Sequence, residues 1–449
     1  MALIGIRAGL QRRALRLSPP SLLALTYLVF VAIGAGLLWL PVANTGEVYF
    51  LDALFTSMSA VTVTGLTVVD TGTDFTFFGQ MVILLLMQLG GLGLITFAVF
   101  VLAALGVPLG LGQRLMLRED LNQSSFGDLL RLVRTVFAVA LGCEAVGAAL
   151  LALAFVPDLG WSEGVWASVF HSVSAFNNAG FSLWSDSLKR YATHPLVNVV
   201  VPLLFIIGGL GFVVLNDIWQ KRRWRSMLLH TKIMLVGTAA LILWGWVTFA
   251  ALEWSNPDTL GGFGSWIDRL IVSGFQAVTP RTAGFNTIDT GAMRDSTALM
   301  TMTLMVIGAG STSTAGGIKV TTFVVLILAT VAFFRKRDEL NCFGRSLGHD
   351  EVMKVLALSM VSMIIVFASI FLISTTHEGP FLRLVFEVCS AFGTVGLTMG
   401  ATPELNTTGR IVIMIVMFLG RVGPLTLGFF LATHSVARVR YPPGRVFLG

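Results

Sequence analysis

Phe55-Thr56-Ser57-Met58-Ser59-Ala60-Val61-Thr62-Val63-Thr64-Gly65-Leu66 is a stretch that this chain repeats. Its frame returns as Phe170-x3-Ser174-Ala175-Phe176-x3-Gly180-Phe181 and as Phe386-x3-Ser390-Ala391-Phe392-x3-Gly396-Leu397. A looser copy, Phe275-Gln276-Ala277-Val278, reaches Gly284-Phe285 two residues late when Ala277-Val278 is set against Ala60-Val61. Each copy continues with a small polar residue: Thr67, Ser182, Asn286 or Thr398. The glycines lie 115, 104 and 112 residues apart. Self-similarity at a near-constant period means one structural unit used repeatedly. Four units, each presenting a glycine-centred polar turn between apolar segments, can surround one axis.

Composition narrows the class. Of 449 residues 55% are hydrophobic and only 12% charged, against about 25% charged in soluble domains. This is a polytopic membrane chain without room for a sizeable soluble domain. Its net charge of +6 does not point to nucleic acid, because the basic residues fall in short runs between apolar spans. Those runs are Arg7 to Arg16, Arg114 to Arg134, Lys221 to Arg225, Arg335 to Arg345 and Arg438 to Arg445. Successive runs are separated by two spans, so all five are expected on the cytoplasmic side, with both termini. The basic N-terminus followed by Ser21 to Val42 imitates a signal peptide, but lacks a clear small-residue cleavage site and reads as a retained first span. Cys143, Cys342 and Cys389 show no metal-ligand spacing and are expected to pack.

Each unit reads as outer helix, short half-helix, polar turn, inner helix. The expected spans are 21–43 and 76–105, 132–156 and 196–220, 229–252 and 296–334, and 351–375 and 408–434. The half-helices, 50–61, 163–176, 265–278 and 380–392, are too short to cross a bilayer. The fold class expected is an all-α integral membrane protein. It has four fused helix–pore-loop–helix repeats and eight transmembrane spans around a central pore. The units are 20–105, 130–222, 228–335 and 350–435, with a cytoplasmic tail at 436–449. Non-helical backbone at membrane depth is tolerated where it is buried or lines a wet cavity, and a ring of four loops meets that condition. The inner helices also share glycines: Gly90-Gly91-Leu92-Gly93, Gly208-Gly209-Leu210-Gly211, Gly308-Ala309-Gly310 and Gly420-Arg421-Val422-Gly423. Helix packing alone explains these as well as a functional kink does.

The four turns carry the chemistry. They are Thr62-Val63-Thr64-Gly65, Asn177-Asn178-Ala179-Gly180, Arg281-Thr282-Ala283-Gly284 and Gly393-Thr394-Val395-Gly396. A potassium ion gives up its water only where oxygens replace it. Backbone carbonyls of an extended turn can do so, and glycine permits dihedrals that aim them at one axis. Each half-helix would point its partially negative C-terminal end at the pore, favouring a cation.

With these motifs the chain resembles the Trk/Ktr/HKT superfamily of potassium transporters over about residues 20–435, closest to the KtrB-type pore-forming subunits. Those proteins resemble four fused copies of the potassium-channel pore unit, with one essential glycine per loop; the matching positions are Gly65, Gly180, Gly284 and Gly396. Repeat three departs from expectation: Pro280 and Arg281 precede its glycine, and Arg281 is expected to point its head away from the axis. The stretch Gly308-Ala309-Gly310-Ser311-Thr312-Ser313-Thr314-Ala315-Gly316-Gly317-Ile318-Lys319 breaks the third inner helix. It lacks the Gly-Lys-[Ser/Thr] of a phosphate loop. The resemblance implies an intramembrane gating loop below the filter, with Arg421 a family position associated with the gate and Lys319 another family position. An arginine at this depth costs roughly 2.5 kcal/mol or more and needs a buried partner or pore water. Glu144, inside a span, is expected to pair with a neighbouring helix. Asp70, Asp74, Asp186 and Asp289 at the outer mouth read as solvated loop carboxylates that also add to a cation-attracting field.

Three function classes compete. A potassium uptake pore of the bacterial plasma (inner) membrane fits the repeats. A secondary cation transporter with an occluded midplane site also uses broken helices, but such carriers more often have inverted halves. An intramembrane enzyme would need a catalytic constellation, and the six histidines (171, 194, 230, 349, 377, 434) are scattered. The resemblance implies potassium as the ion with sodium as a candidate second ion, contact with membrane lipid and a homodimer. It also implies a separate cytoplasmic ring of KtrA-type subunits that binds ATP and ADP, since this chain has no dinucleotide fingerprint.

Overall fold

The computed structural model describes residues 19–46, 48–92, 126–311, 313–336 and 339–423. The basic runs at 7–16 and 438–445, the tail 436–449, Thr312, and the expected lower ends of the first and fourth inner helices (93–105, 424–434) lie outside the described residues, as does most of the run 114–134.

The chain is predominantly helical. The first unit contains α1 (Pro19–Trp39), α2 (Phe50–Val61) and α3 (Phe77–Gly91). The second contains α4 (Phe126–Leu159), α5 (Trp161–Phe176), α6 (Pro195–Leu210) and α7 (Phe212–Lys221). The third contains α8 (Leu229–Glu253), α9 (Trp266–Val278), α10 (Asp295–Val306) and α11 (Val320–Phe334). The fourth contains α12 (His349–Ser374), α13 (Phe381–Gly393) and α14 (Thr407–Val422). Among the described residues, Thr135–Leu159, Leu229–Glu253 and His349–Ser374 are long and apolar enough to cross a membrane. The all-helical expectation needs one amendment. Part of the charged linker 335–349 folds as a hairpin of β1 (Leu340–Cys342) and β2 (Arg345–Leu347). Its two-residue turn, Phe343 (φ 49°) and Gly344 (φ 74°), has the positive dihedrals that match hairpin twist.

The short helices α2, α5, α9 and α13 hold 12, 16, 13 and 13 residues. At 1.5 Å per residue they span about 18–24 Å, less than the roughly 30 Å of a hydrocarbon core. The motif phenylalanines Phe55, Phe170, Phe275 and Phe386 are all buried. Each therefore anchors its half-helix in the core at the same point of the repeat. The outer helices instead expose apolar faces, including Leu141, Val146 and Leu153 on α4 and Ile364, Phe367 and Phe371 on α12. Burial is thus concentrated around the loops, and apolar exposure lies on the surface that lipid would meet.

The inner helices differ from the sequence expectation. The second, expected as one span over 196–220, turns by 92° between α6 and α7. The break is Gly211, at φ 94° and ψ 141°, and Gly423 ends α14 with almost the same dihedrals, φ 89° and ψ 144°. These are the last glycines of Gly208-x2-Gly211 and Gly420-x2-Gly423, where a left-handed residue stops the helix and any other side chain would be strained. The third inner helix is interrupted as expected, by residues 307–319 between α10 and α11.

Candidate functional site

The four glycine turns have one conformation. Val63, Asn178, Thr282 and Thr394 are left-handed at φ 57°, 58°, 71° and 50°, and two residues later Gly65, Gly180, Gly284 and Gly396 have φ 86°, 70°, 79° and 94°. Left-handed dihedrals at valine and threonine are costly, on the order of 1–3 kcal/mol each. They persist here at Val63, Thr282 and Thr394 because the surroundings hold them. Thr62, Thr64, Asn177, Ala179, Ala283 and Val395 in the same turns are buried too.

The turns also touch in cyclic order. A methyl placed on Gly65 would overlap the Ala179 carbonyl, and one on Gly180 would lie 2.9 Å from Gly284 Cα. One on Gly284 would overlap the Val395 carbonyl, and one on Gly396 would lie 3.1 Å from Gly65 Cα. The ring 65–180–284–396 therefore closes on itself, backbone against backbone.

Repeat three joins the ring by a different count. Ser174 Oγ donates to the Phe181 carbonyl (2.8 Å), and in the third turn Thr279 Oγ1 donates to the Phe285 carbonyl (2.5 Å). The frame is thus Phe275-x3-Thr279, and its glycine arrives one residue early rather than two late. Matching Ala277-Val278 to Ala60-Val61 misplaced the hydroxyl that defines the position. Arg281 follows from this shortening. Its guanidinium reaches Thr238 on α8, at 3.5 Å to the carbonyl and to Oγ1, and its buried Nε has no partner among the described residues.

The inner-helix glycines have a specific use. A Cβ at Gly90, Gly208 or Gly420 would overlap the carbonyl of Val61, Phe176 or Phe392, near the end of each half-helix. Close approach there seats each turn over its inner helix.

Beneath the ring runs the broken segment. Gly310 N donates to the Gly209 carbonyl (2.8 Å), Thr314 N to the Gly208 carbonyl (3.4 Å) and Gly317 N to the Gly420 carbonyl (3.3 Å). Gly316 lies against the Thr394 side chain of the fourth turn, so tightly that a Cβ would overlap it. Within the segment Ser313 Oγ donates to the Gly310 carbonyl (2.7 Å), and Lys319 Nζ to the Ala315 carbonyl (2.6 Å). From α14, buried Arg421 donates to the carbonyls of Thr314 and Gly90, and its Nε to the Tyr27 hydroxyl at 3.4 Å. Tyr27 in turn donates to the Gly90 carbonyl at 3.3 Å. The segment is thereby tied to glycine carbonyls of the other three inner helices. Of the expected gate residues, Gly308, Gly310, Ser311, Ser313, Thr314, Gly316, Gly317, Lys319 and Arg421 are in or against this one structure.

Tyr27 and Gln88 do not stand out in the sequence, and both matter here. A tyrosine in an apolar helix needs a partner for its hydroxyl, which is the one signal the sequence offers for it. Gln88 joins Glu144 and Asn177 in a buried cluster: Glu144 accepts from Gln88 Nε2 (3.2 Å) and from Asn177 Nδ2 (3.0 Å). Glu144 thus reaches both a neighbouring helix and a glycine turn. Asp70, Asp74 and Asp289 are engaged in their own loops, Asp289 also lying 3.9 Å from Lys189.

A model of the TrkH family, described as cation transport protein, matches residues 22–435. The chain is 50% identical over 434 residues to the Ktr system potassium uptake protein B of Bacillus subtilis, covering 97% of each. It is 38% identical to the potassium/sodium uptake protein NtpJ of Enterococcus hirae, covering 97% of this chain and 98% of that one. The crystal structure of the potassium transporter TrkH from Vibrio parahaemolyticus shares its fold with a TM-score of 0.73 at 20% identity, over 93% of this chain and 86% of that one. With a family match over nearly the whole chain and relatives alike from end to end, the protein belongs to the TrkH family of cation transport proteins.

Proposed function

We propose that this protein is the pore-forming subunit of a bacterial potassium uptake system. It comprises four fused repeats (20–105, 130–222, 228–335, 350–435) with eight spans and a cytoplasmic tail at 436–449. The observation that carries the reading is the closed ring of four glycines at positive φ, each two residues after a left-handed residue. A ring of four such turns can replace the water around a monovalent cation with carbonyl oxygens, while the C-terminal ends of α2, α5, α9 and α13 supply partial negative charge. Potassium is the transported ion and sodium a second one, in keeping with the potassium and potassium/sodium uptake proteins to which the chain is similar. The segment 308–317, held by Arg421, closes the path below the ring. The protein works as a homodimer in the plasma membrane, both termini cytoplasmic, with a separate nucleotide-binding ring docked on its basic cytoplasmic face.

The test is uptake of potassium and of sodium into liposomes. Changing Gly65, Gly180, Gly284 or Gly396 to Ser puts a side chain where the neighbouring backbone stands, so potassium preference should fall in every variant. Wild-type preference in all four would overturn the filter reading.

A further inference from the structure

Glu144 sits in α4, whose flanking residues Leu141, Val146 and Leu150 are exposed and apolar. The residue is only 5% exposed, and no Lys or Arg among the described residues forms an ion pair with it. An acid in such a span costs roughly 2.5 kcal/mol or more relative to an apolar residue. Folding alone would be served better by a leucine.

The carboxylate instead holds a turn of the ring. Asn177, which caps α5 and precedes left-handed Asn178, donates from Nδ2 to Glu144 (3.0 Å), to Gln88 Oε1 (2.7 Å) and to the Val173 carbonyl (2.9 Å). Gln88 donates to the other Glu144 oxygen. The Glu144 backbone carbonyl also accepts from Ser172 Oγ (2.7 Å), so one residue grips both the half-helix and the turn. Gly91 leaves the space, since a Cβ there would overlap the Asn177 side chain.

The same position in the first turn is self-contained. Thr62 Oγ1 bonds within its own loop, to the Met58 carbonyl (2.7 Å) and to Thr64 Oγ1 (2.8 Å). A turn of this shape can therefore form without an outside acid. The tie to α4 and α3 is a feature of the second quarter, and it fixes the residue immediately before the strained Asn178-Ala179-Gly180 backbone.

We propose that Glu144 is a positioning residue for ion preference: through Asn177 it holds the second turn in the shape that favours potassium over sodium, without touching the ion. This rests on the ring acting as the filter. The test is the ratio of potassium to sodium uptake per mole of purified protein in liposomes, for Glu144→Ala, Glu144→Gln, Asn177→Asp and the exchange Glu144→Gln with Asn177→Asp, alongside Gly180→Ser. Glu144→Ala should lower the ratio about tenfold, the scale of one lost buried charged hydrogen bond. Glu144→Gln, which can still accept from Asn177, should keep most of it. The exchange variant, again one acid facing one amide, should recover what Asn177→Asp loses. A wild-type ratio in Glu144→Ala while Gly180→Ser loses its preference would overturn this inference and leave the filter standing. A wild-type ratio in Gly180→Ser would show that the second turn sets no ion preference and would overturn this inference with it. Should Glu144→Ala fail to fold, absence of recovery in the exchange variant overturns the inference.

Discussion

Arg421 of α14 donates from its two terminal nitrogens to the carbonyls of Thr314 and Gly90, so one side chain joins the broken segment to the first inner helix across the chain. Thr314 and Arg421 are 107 residues apart, and Arg421 and Gly90 331. The segment is not helical itself; these bonds, the glycine carbonyls of α6 and α14, the pairing of Ile307 with Ile318 and the packing of Gly316 on Thr394 hold it. Such an element has little intrinsic preference between two arrangements, and a few bonds decide between them. If the proposed ion path runs past this segment, the positive charge of Arg421 also opposes a cation there.

The expected result is that Arg421→Ala raises potassium flux by roughly 5- to 150-fold, the range of a coupling energy of about 1–3 kcal/mol. Deleting 308–317 should do the same, with potassium preference mostly kept in both because no residue of the four turns is changed. Flux measurements on folded protein check this. A fall in flux would mean that Arg421 supports the open state.

Much of this was legible because a period exposes it: the motif phenylalanines, the four glycines and the small-residue break in the third inner helix all recur or disrupt a pattern. Most of what escaped has no period. Tyr27 and Arg421 are 394 residues apart, and neither predicts the other. Gln88 is one of two amides in an apolar helix, and its partners are on another repeat. The break at Gly211 was hidden because glycine in a Gly-Gly-Leu-Gly run serves close packing and left-handed dihedrals equally well, and sequence does not separate the two. The Thr279 register was missed because residue identity at Ala277-Val278 outweighed the role of a hydroxyl.

Three glycines should separate close approach from dihedral freedom. Gly36 of α1 has open space around it, so Gly36→Ala should be neutral or stabilise by about 0.5–1 kcal/mol through helix propensity. Gly423 also meets no described atom but has φ 89° and ψ 144°, so Gly423→Ala should cost about 1–3 kcal/mol through backbone strain. Gly420 would meet the Phe392 carbonyl and should be the most damaging of the three. Thermal unfolding in detergent orders them, and a Gly420→Ala protein as stable as Gly36→Ala would refute the packing role.

Arg410 of α14 and Asp52 of α2 form an ion pair at 2.6 Å that ties the last unit to the first. The pair is partly buried, with Asp52 also accepting from Tyr49 N (3.3 Å) and Arg410 donating to the Leu405 (3.0 Å) and Pro403 (3.1 Å) carbonyls. Arg410→Ala strands the Asp52 carboxylate and should destabilise by about 1–3 kcal/mol. Adding Asp52→Asn should return part of that loss, because no unpaired charge then remains. A double variant less stable than the sum of the single changes would rule out direct pairing.

The hairpin β1–β2 and the turn at 221–225 should face the cytoplasm, given their lysines and arginines. In a background lacking the native cysteines, Arg225→Cys should resist a membrane-impermeant maleimide added to intact cells and react once the membrane is opened. A chain that keeps Cys342 as its single cysteine offers a second reading. Burial pushes this thiol above the ordinary range, and the thiolate is the reacting form. In opened membranes Cys342 should therefore label more slowly at neutral pH than the thiol of the Arg225→Cys variant. Its rate should still be rising with pH where that of an exposed cysteine has levelled. Rapid labelling of either site from outside intact cells would overturn the orientation. Equal rates at neutral pH would show that the strand β1 leaves Cys342 open to solvent.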